Sequence, residues 1–253
     1  MLLSPEKRLI VAADFEPPQT EGAMSWAHAR VIELAQDIAG SGVVIKVNAI
    51  LRACGYPLVR ELHNLGLRVF ADLKLKDIPA TLKNDNRFLW EVRPEILTVD
   101  CTAGVRGMAE LKNLLADTTV LGVTVLTTFT EKDAKAVYGY DTDEAVLRLA
   151  ALALEAGLDG LVCSPRELRL LRKEFTRELS DRPEFQLVTP GIRPEWAVIP
   201  GDDQLRVASP GDAIRMGASR IVVGRPALYP PENMTRAEAI KSILAEIAGA
   251  TEE

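Results

Sequence analysis

The sequence predicts an α/β protein built as a single (β/α)8 TIM barrel, and three observations carry that reading. Short runs rich in Val, Ile and Leu recur eight times along the 253 residues. Helical patterns separate them, so strand and helix alternate as a barrel requires. No change of composition and no Pro-, Gly- or Ser-rich linker divides the chain, so residues 1–253 read as one unit. A doubly wound open sheet is the main competitor.

The strand segments are "LIVAAD" (9–14), "VVIKVN" (43–48), "LRVFADLK" (67–74), "EILTVD" (95–100), "VLGVTVLT" (120–127), "GLVCS" (160–164), "QLVTPG" (186–191) and "RIVVG" (220–224). Their nearly continuous apolar runs suit strands buried on both faces. Among the helices, "MSWAHARVIELAQDIAG" closes at Gly40 and "DEAVLRLAALALEAG" at Gly157, glycine being the residue expected just past a helix end. In "SPRELRLL" Ser164 is an N-cap, Pro165 the first helical residue and Glu167 the third position of a capping box; "SPGDAIRMG" repeats the pattern with Ser209, Pro210 and Asp212. The stretch "TLKNDNRFLWEVRP" carries charge where a simple amphipathic helix is expected, which suggests a distorted helix after strand three.

Hydrophobic residues make up 47% of the chain and charged residues 26%, enough to bury a sizeable core and too apolar for disorder. A net charge of -6 gives no basic footprint for nucleic acid or an anionic membrane surface, so any phosphate must be gripped locally. The segment "MLLSPEKRLIVAAD" lacks a small-residue cleavage site and reads as the approach to a first strand. No run reaches the roughly 18 apolar residues of a membrane span. A cytoplasmic location is the expectation. Cys54, Cys101 and Cys163 are widely spaced and form no CxxC pair, so they read as small buried hydrophobes rather than as disulfides or metal ligands. Two histidines, His28 and His63, both inside helical patterns, make histidine triads and His-rich metal sites improbable.

Barrel chemistry sits at the C-terminal ends of the strands, and the unusual polar residues collect there. Asp14 ends the first strand, Lys46 is late in the second, and Asp72 and Lys74 are late in the third; Asp100, Thr127 and Ser164 end the next three. Arg225 follows the eighth. In "VFADLKLKDIPAT" (69–81), side chains alternate faces, so Asp72 and Lys74 share one face while Leu73 and Leu75 take the other. Lys46 on the adjacent strand is within reach of that face. Buried charges are tolerable only when paired, so an alternating array of acids and amines is the expected arrangement. Asp77 lies past the strand end and off that face, which points to another role or to a neighbouring subunit.

Two late loops, "TPGIRP" (189–194) and "VVGRP" (222–226), each join glycine to arginine, Arg193 in one and Arg225 in the other. Barrels often bind phosphate between the loops after strands seven and eight, where free backbone N–H groups favour an anion and an arginine adds a charge-assisted contact. These residues alone describe an enzyme for a small phosphorylated substrate with a Lys/Asp array and no obvious metal site. Lysine chemistry admits Schiff-base formation or proton transfer. An ammonium beside carboxylates is a poor nucleophile, so proton donation is favoured.

The segment "DLKLKDIPAT" resembles the D-x-K-x-x-D-I-P-x-T signature of the orotidine 5′-phosphate decarboxylase family. Along the whole chain "VAADF", "IKVN", "VTVLTT", "TPGIRP…DDQLRVASP" and "VVGRP" resemble the family's other landmarks in order. The resemblance implies that Asp14 and Lys46 hold the ribose hydroxyls and that Lys46, Asp72, Lys74 and Asp77 form the charged array. It implies that Thr127 and Thr128 face the pyrimidine, and that Gln204, Gly224 and Arg225 face the phosphate with Arg193 at the same end. Asp77 and Thr81 would come from the other subunit of a homodimer. The implied reaction is loss of CO2 from C6 of orotidine 5′-phosphate to give UMP, the last step of de novo pyrimidine synthesis, with Lys74 as proton donor and without metal or cofactor. The segment around Gln204, "RPEWAVIPGDDQLRVASPG", reads as a lid.

One departure from the family is "TVDCTAG", which puts Asp100 and Cys101 where the family commonly has a His. Two rival readings remain: a Mg2+-dependent sugar-phosphate relative sharing the Asp-x-Lys-x-x-Asp strand, and a barrel that binds a nucleotide or a partner protein without catalysis.

Overall fold

The computed structural model describes residues 3–197 and 207–251. Eight parallel strands close into a barrel in sequence order: β1 (Leu9–Ala12), β2 (Val44–Val47), β3 (Arg68–Leu75), β4 (Ile96–Asp100), β5 (Thr119–Val123), β6 (Gly160–Val162), β7 (Gln186–Thr189) and β8 (Arg220–Val223). β1 pairs with both β2 and β8, which completes the circle and excludes the open sheet.

Alternation along each strand sorts the core into two layers. Ile10, Ala12, Val44, Phe70, Ile96, Leu121, Val188 and Val222 fill the barrel interior. The alternate residues, among them Leu9, Val11, Ile45, Val69, Leu97 and Ile221, pack outward against the helices. By the same parity Lys46, Asp72 and Thr98 point inward above that interior plug. Their depth in the barrel follows from pairing: Ala12 is opposite Lys46, and Lys46 opposite Phe70.

Several element ends differ from the sequence reading. β5 stops at Val123 rather than at residue 127, because the chain then turns, with the Phe129 N–H donating to Leu126 O at 2.9 Å. β1 stops at Ala12, leaving Asp14 just beyond it. The helix Pro79–Val92 is regular rather than distorted. It buries Leu82, Asn86, Leu89 and Val92 on one stripe, and the Asn86 amide N–H groups donate to Leu111 O at 2.7 Å and Glu110 O at 3.2 Å, while its buried Oδ1 has no hydrogen-bond partner among the described residues. Cys101 and Cys163 are buried, but Cys54 is only half-buried. Burial pushes the Cys101 and Cys163 thiols far up, as inert core cysteines require. Among the described residues no helix is long and apolar enough to cross a membrane.

The candidate active site

At the C-terminal mouth of the barrel lies a cavity of about 410 Å3. Asp14, Lys46, Asn48, Asp72, Lys74, Thr127, Arg193, Gly224 and Arg225 line it, with Phe70, Val123, Val162 and Pro190 among its apolar walls. Polar groups from β1, β2 and β3 face a glycine–arginine side formed after β7 and β8.

The charges form one continuous chain. Lys46 Nζ donates to Asp14 Oδ2 at 2.8 Å and to Asp72 Oδ2 at 3.2 Å. Lys74 Nζ donates to the other Asp72 oxygen, Oδ1, at 2.7 Å. Acid and amine alternate, so no like charges are adjacent and the four formal charges cancel.

Burial sets how strongly these groups act on one another. Lys46 and Asp72 are only 6% and 7% exposed. Burial by itself lowers the Lys46 pKa, but Asp72 and Asp14 outweigh it and hold the ammonium above its ordinary range. For Asp72, burial favours the neutral acid, yet Lys46, Lys74 and a hydrogen bond from Thr98 overcome it and keep the carboxyl below its ordinary range. Both groups are therefore charged near neutrality.

β3 departs from regular geometry just here. Its four-residue step from Ala71 to Leu75 passes only two residues of β4, Leu97 to Val99, so the ladder carries a bulge. Lys74 within it has a φ of 50°. Leu73 and Leu75 still pack outward into the core while Asp72 and Lys74 face the cavity, as the alternation predicted.

On the opposite side, Gly191 has a φ of 77°, which favours glycine, and the Arg193 N–H donates to Ala208 O at 2.9 Å. Gly224 has a different reason to lack a side chain. A Cβ there would meet only Ala12 Cβ, at 3.8 Å, and would otherwise enter the cavity that both residues line. The adjoining Arg225 begins a short turn of helix, Arg225–Leu228, whose N-cap offers no side-chain hydrogen bond.

Not every residue expected at the rim is there. Thr128 shares the turn with Thr127 but is exposed and does not line the cavity. Asp100 turns to cap the following 3-10 turn, accepting from the Thr102 N–H at 2.8 Å and its hydroxyl at 2.6 Å. Ser164 is fully buried in its capping box, with its N–H donating to Glu167 Oε2 at 2.8 Å. Asp77 is exposed, accepts the Ile78 N–H at 2.7 Å and lies outside the cavity lining, as does Thr81. Gln204 and the middle of the lid segment, residues 198–206, lie outside the described residues.

Two contributors were not anticipated from the sequence. Asn48, one residue past β2, lines the cavity and accepts from Arg52 at 2.6 Å. Thr98 is fully buried on β4 and donates to Asp72 Oδ1 at 2.9 Å. The signal for Thr98 was its inward parity with Ile96 beside the Asp72 strand.

A closed parallel barrel with an acid–amine chain at its C-terminal mouth defines a (β/α)8 barrel enzyme. A family model described as "Orotidine 5′-phosphate decarboxylase / HUMPS family" matches residues 7–240. Orotidine 5′-phosphate decarboxylase of Pseudomonas savastanoi pv. phaseolicola is 36% identical over 247 residues, covering 95% of this chain and 97% of its own. The enzyme of that name from Caulobacter sp. is 35% identical over 248 residues, covering 98% and 100%. The crystal structure of orotidine 5′-phosphate decarboxylase from Lactobacillus acidophilus superposes with a TM-score of 0.76 at 27% identity, covering 95% of this chain and 99% of that one. The chain belongs to the orotidine 5′-phosphate decarboxylase / HUMPS family, and it is a carboxy-lyase.

Proposed function

We propose that the protein converts orotidine 5′-phosphate to UMP and CO2 without metal or cofactor, and that Lys74 supplies the proton. The observation that carries this reading is the Asp14–Lys46–Asp72–Lys74 chain at the head of the cavity.

When the C6–carboxylate bond breaks, its electron pair stays on C6 and CO2 departs. An ammonium fixed beside that carbon stabilises the developing charge, and such preorganised stabilisation is commonly the largest catalytic contribution. Lys74 then transfers a proton from Nζ to C6 and recovers one from solvent. Asp72 is the fixed anion that holds this ammonium, on the side where the substrate carboxylate leaves. A divalent cation bound at Asp72 would face the ammonium groups of Lys46 and Lys74, so the local charge favours a metal-free site. Among the described residues no group of three or more His, Cys, Asp or Glu side chains is placed to hold a metal.

In this reading Asp14 and Lys46 hold the ribose hydroxyls, Thr127 faces the pyrimidine, and Arg193, Gln204, Gly224 and Arg225 take the phosphate. The active unit is a homodimer in which Asp77 and Thr81 serve the partner's site. The placement of the reaction at the end of pyrimidine synthesis follows from the family, and three free cysteines suit the reducing cytoplasm.

The test is the loss of orotidine 5′-phosphate absorbance by protein dialysed exhaustively against EDTA, with UMP identified as product. Turnover at the undialysed rate supports the reading. Activity that appears only with added Mg2+ on a keto-sugar phosphate would replace it with the other branch of the family.

A further inference from the structure

Thr98 sits on β4 inside the barrel, with no exposed surface. Its hydroxyl does two things at once. Thr98 Oγ1 accepts the backbone N–H of Lys74 at 2.9 Å and donates to Asp72 Oδ1 at 2.9 Å. The same Asp72 oxygen accepts from Lys74 Nζ at 2.7 Å. The contacts close a ring: one hydroxyl ties the main chain of Lys74 to the carboxylate that receives the end of its side chain.

The backbone shows what the tie holds. Among the described residues only two non-glycine residues have positive φ, Lys74 at 50° and Arg93 at 49°. Arg93 is the C-cap of the helix Pro79–Val92, a place where the left-handed conformation is common. Lys74 is inside a strand, where it is not. L residues avoid this region, and they keep it at functional sites only when their surroundings enforce it. Here the ladder between β3 and β4 slips, and the Lys74 N–H passes to the Thr98 side chain instead.

We propose that Thr98 is a positioning residue for catalysis: its hydroxyl holds Lys74 in the left-handed conformation and orients Asp72 Oδ1 toward the Lys74 ammonium. The inference rests on the reading of Lys74 as proton donor. Thr98 does not line the cavity, so it acts through Lys74 and Asp72 and not on the substrate. The role needs a group that accepts and donates at once from one atom. Serine retains that group; valine keeps the shape of threonine and removes it.

Misplacing a reacting group by about 1 Å costs on the order of a hundredfold in rate, so T98V is expected to lower kcat by about ten- to a hundredfold. The Kd for UMP should change by less than about threefold, because the altered contact is not one that binds the ground state. T98S should recover most of the lost kcat. A T98V protein with the parent's kcat, or a T98S protein as impaired as T98V, would overturn the proposal. If T98V does not fold, T98A, which also lacks the hydroxyl, is compared with T98S in the same way, and equal kcat values would overturn it. Absence of turnover in the parent would count against the decarboxylase reading alone. A crystal structure of T98V then decides the positioning claim: Lys74 is expected to relax to negative φ, and a retained value near 50° would contradict it.

Discussion

Lys46 and Lys74 grip different oxygens of one carboxylate: Lys46 Nζ is 3.2 Å from Asp72 Oδ2, and Lys74 Nζ is 2.7 Å from Asp72 Oδ1. The two amines are not equivalent. The Lys46 side chain is 8% exposed and shared with Asp14, whereas the Lys74 side chain is 33% exposed at the cavity wall. The inner amine secures the array, and the outer one is accessible to a ligand.

Removing the inner amine should therefore cost stability. Lys46→Met leaves Asp72 buried with one cation instead of two and leaves Asp14 without its contact. Breaking a buried pair from one side costs about 3 kcal/mol or more. Urea denaturation should show a midpoint well below the parent's, and an unchanged midpoint would mean that solvent screens the array.

The array also sets a pH window. The folded pKa of Asp72 is depressed, so its contribution is fully present above the unfolded value of about 3.9 and is lost as pH falls through the lower folded value. The folded pKa of Lys46 is raised, so its contribution is fully present below about 10.4 and is lost as pH rises through the higher folded value. Measured against pH, the stability gap between the parent and Asp72→Asn should narrow once the pH drops below about 4. A gap that stays constant to pH 2 would show that Asp72 is not the titrating group.

Asp77 tests the shared site. It is exposed and outside the cavity of its own chain. If each subunit lends Asp77 to the other, a hybrid of Lys74→Ala and Asp77→Ala subunits contains one intact site and one doubly altered site. Random exchange between the two inactive proteins should restore about a quarter of the parent activity, since half the dimers are hybrids with one working site in two. No recovery despite exchange confirmed by native mass spectrometry would place Asp77 in its own subunit's chemistry.

Much of this site was legible because strand parity and parallel pairing are strict. Lys46, Asp72 and Lys74 could be assigned to one mouth from alternation alone, and the signature around them resembled a single family. Residues at strand ends were harder. Asp100 and Ser164 look like rim residues in sequence, yet a short polar side chain there can equally cap the next helix, and both do. For Ser164 the capping box was already visible, and a hydroxyl engaged in one is not free to face a cavity. For Thr98 inward parity with Ile96 is a weak signal, because its role depends on the bulge in the neighbouring strand and on a positive φ at a lysine, neither of which residue type reveals. The turn that removes Thr128 from the cavity depends likewise on where β5 ends, which the continuous run "VLGVTVLTT" does not mark.

The central claim is that Lys74 acts on the reacting carbon rather than merely binding the nucleotide. Decarboxylation by metal-free parent and Lys74→Ala, each with its Kd for UMP, tests this most directly. Loss of both the electrostatic contact and the general acid should lower kcat by at least about 10³-fold while leaving UMP affinity within about tenfold of the parent's. A Lys74→Ala protein that retains kcat and loses only affinity would contradict the account.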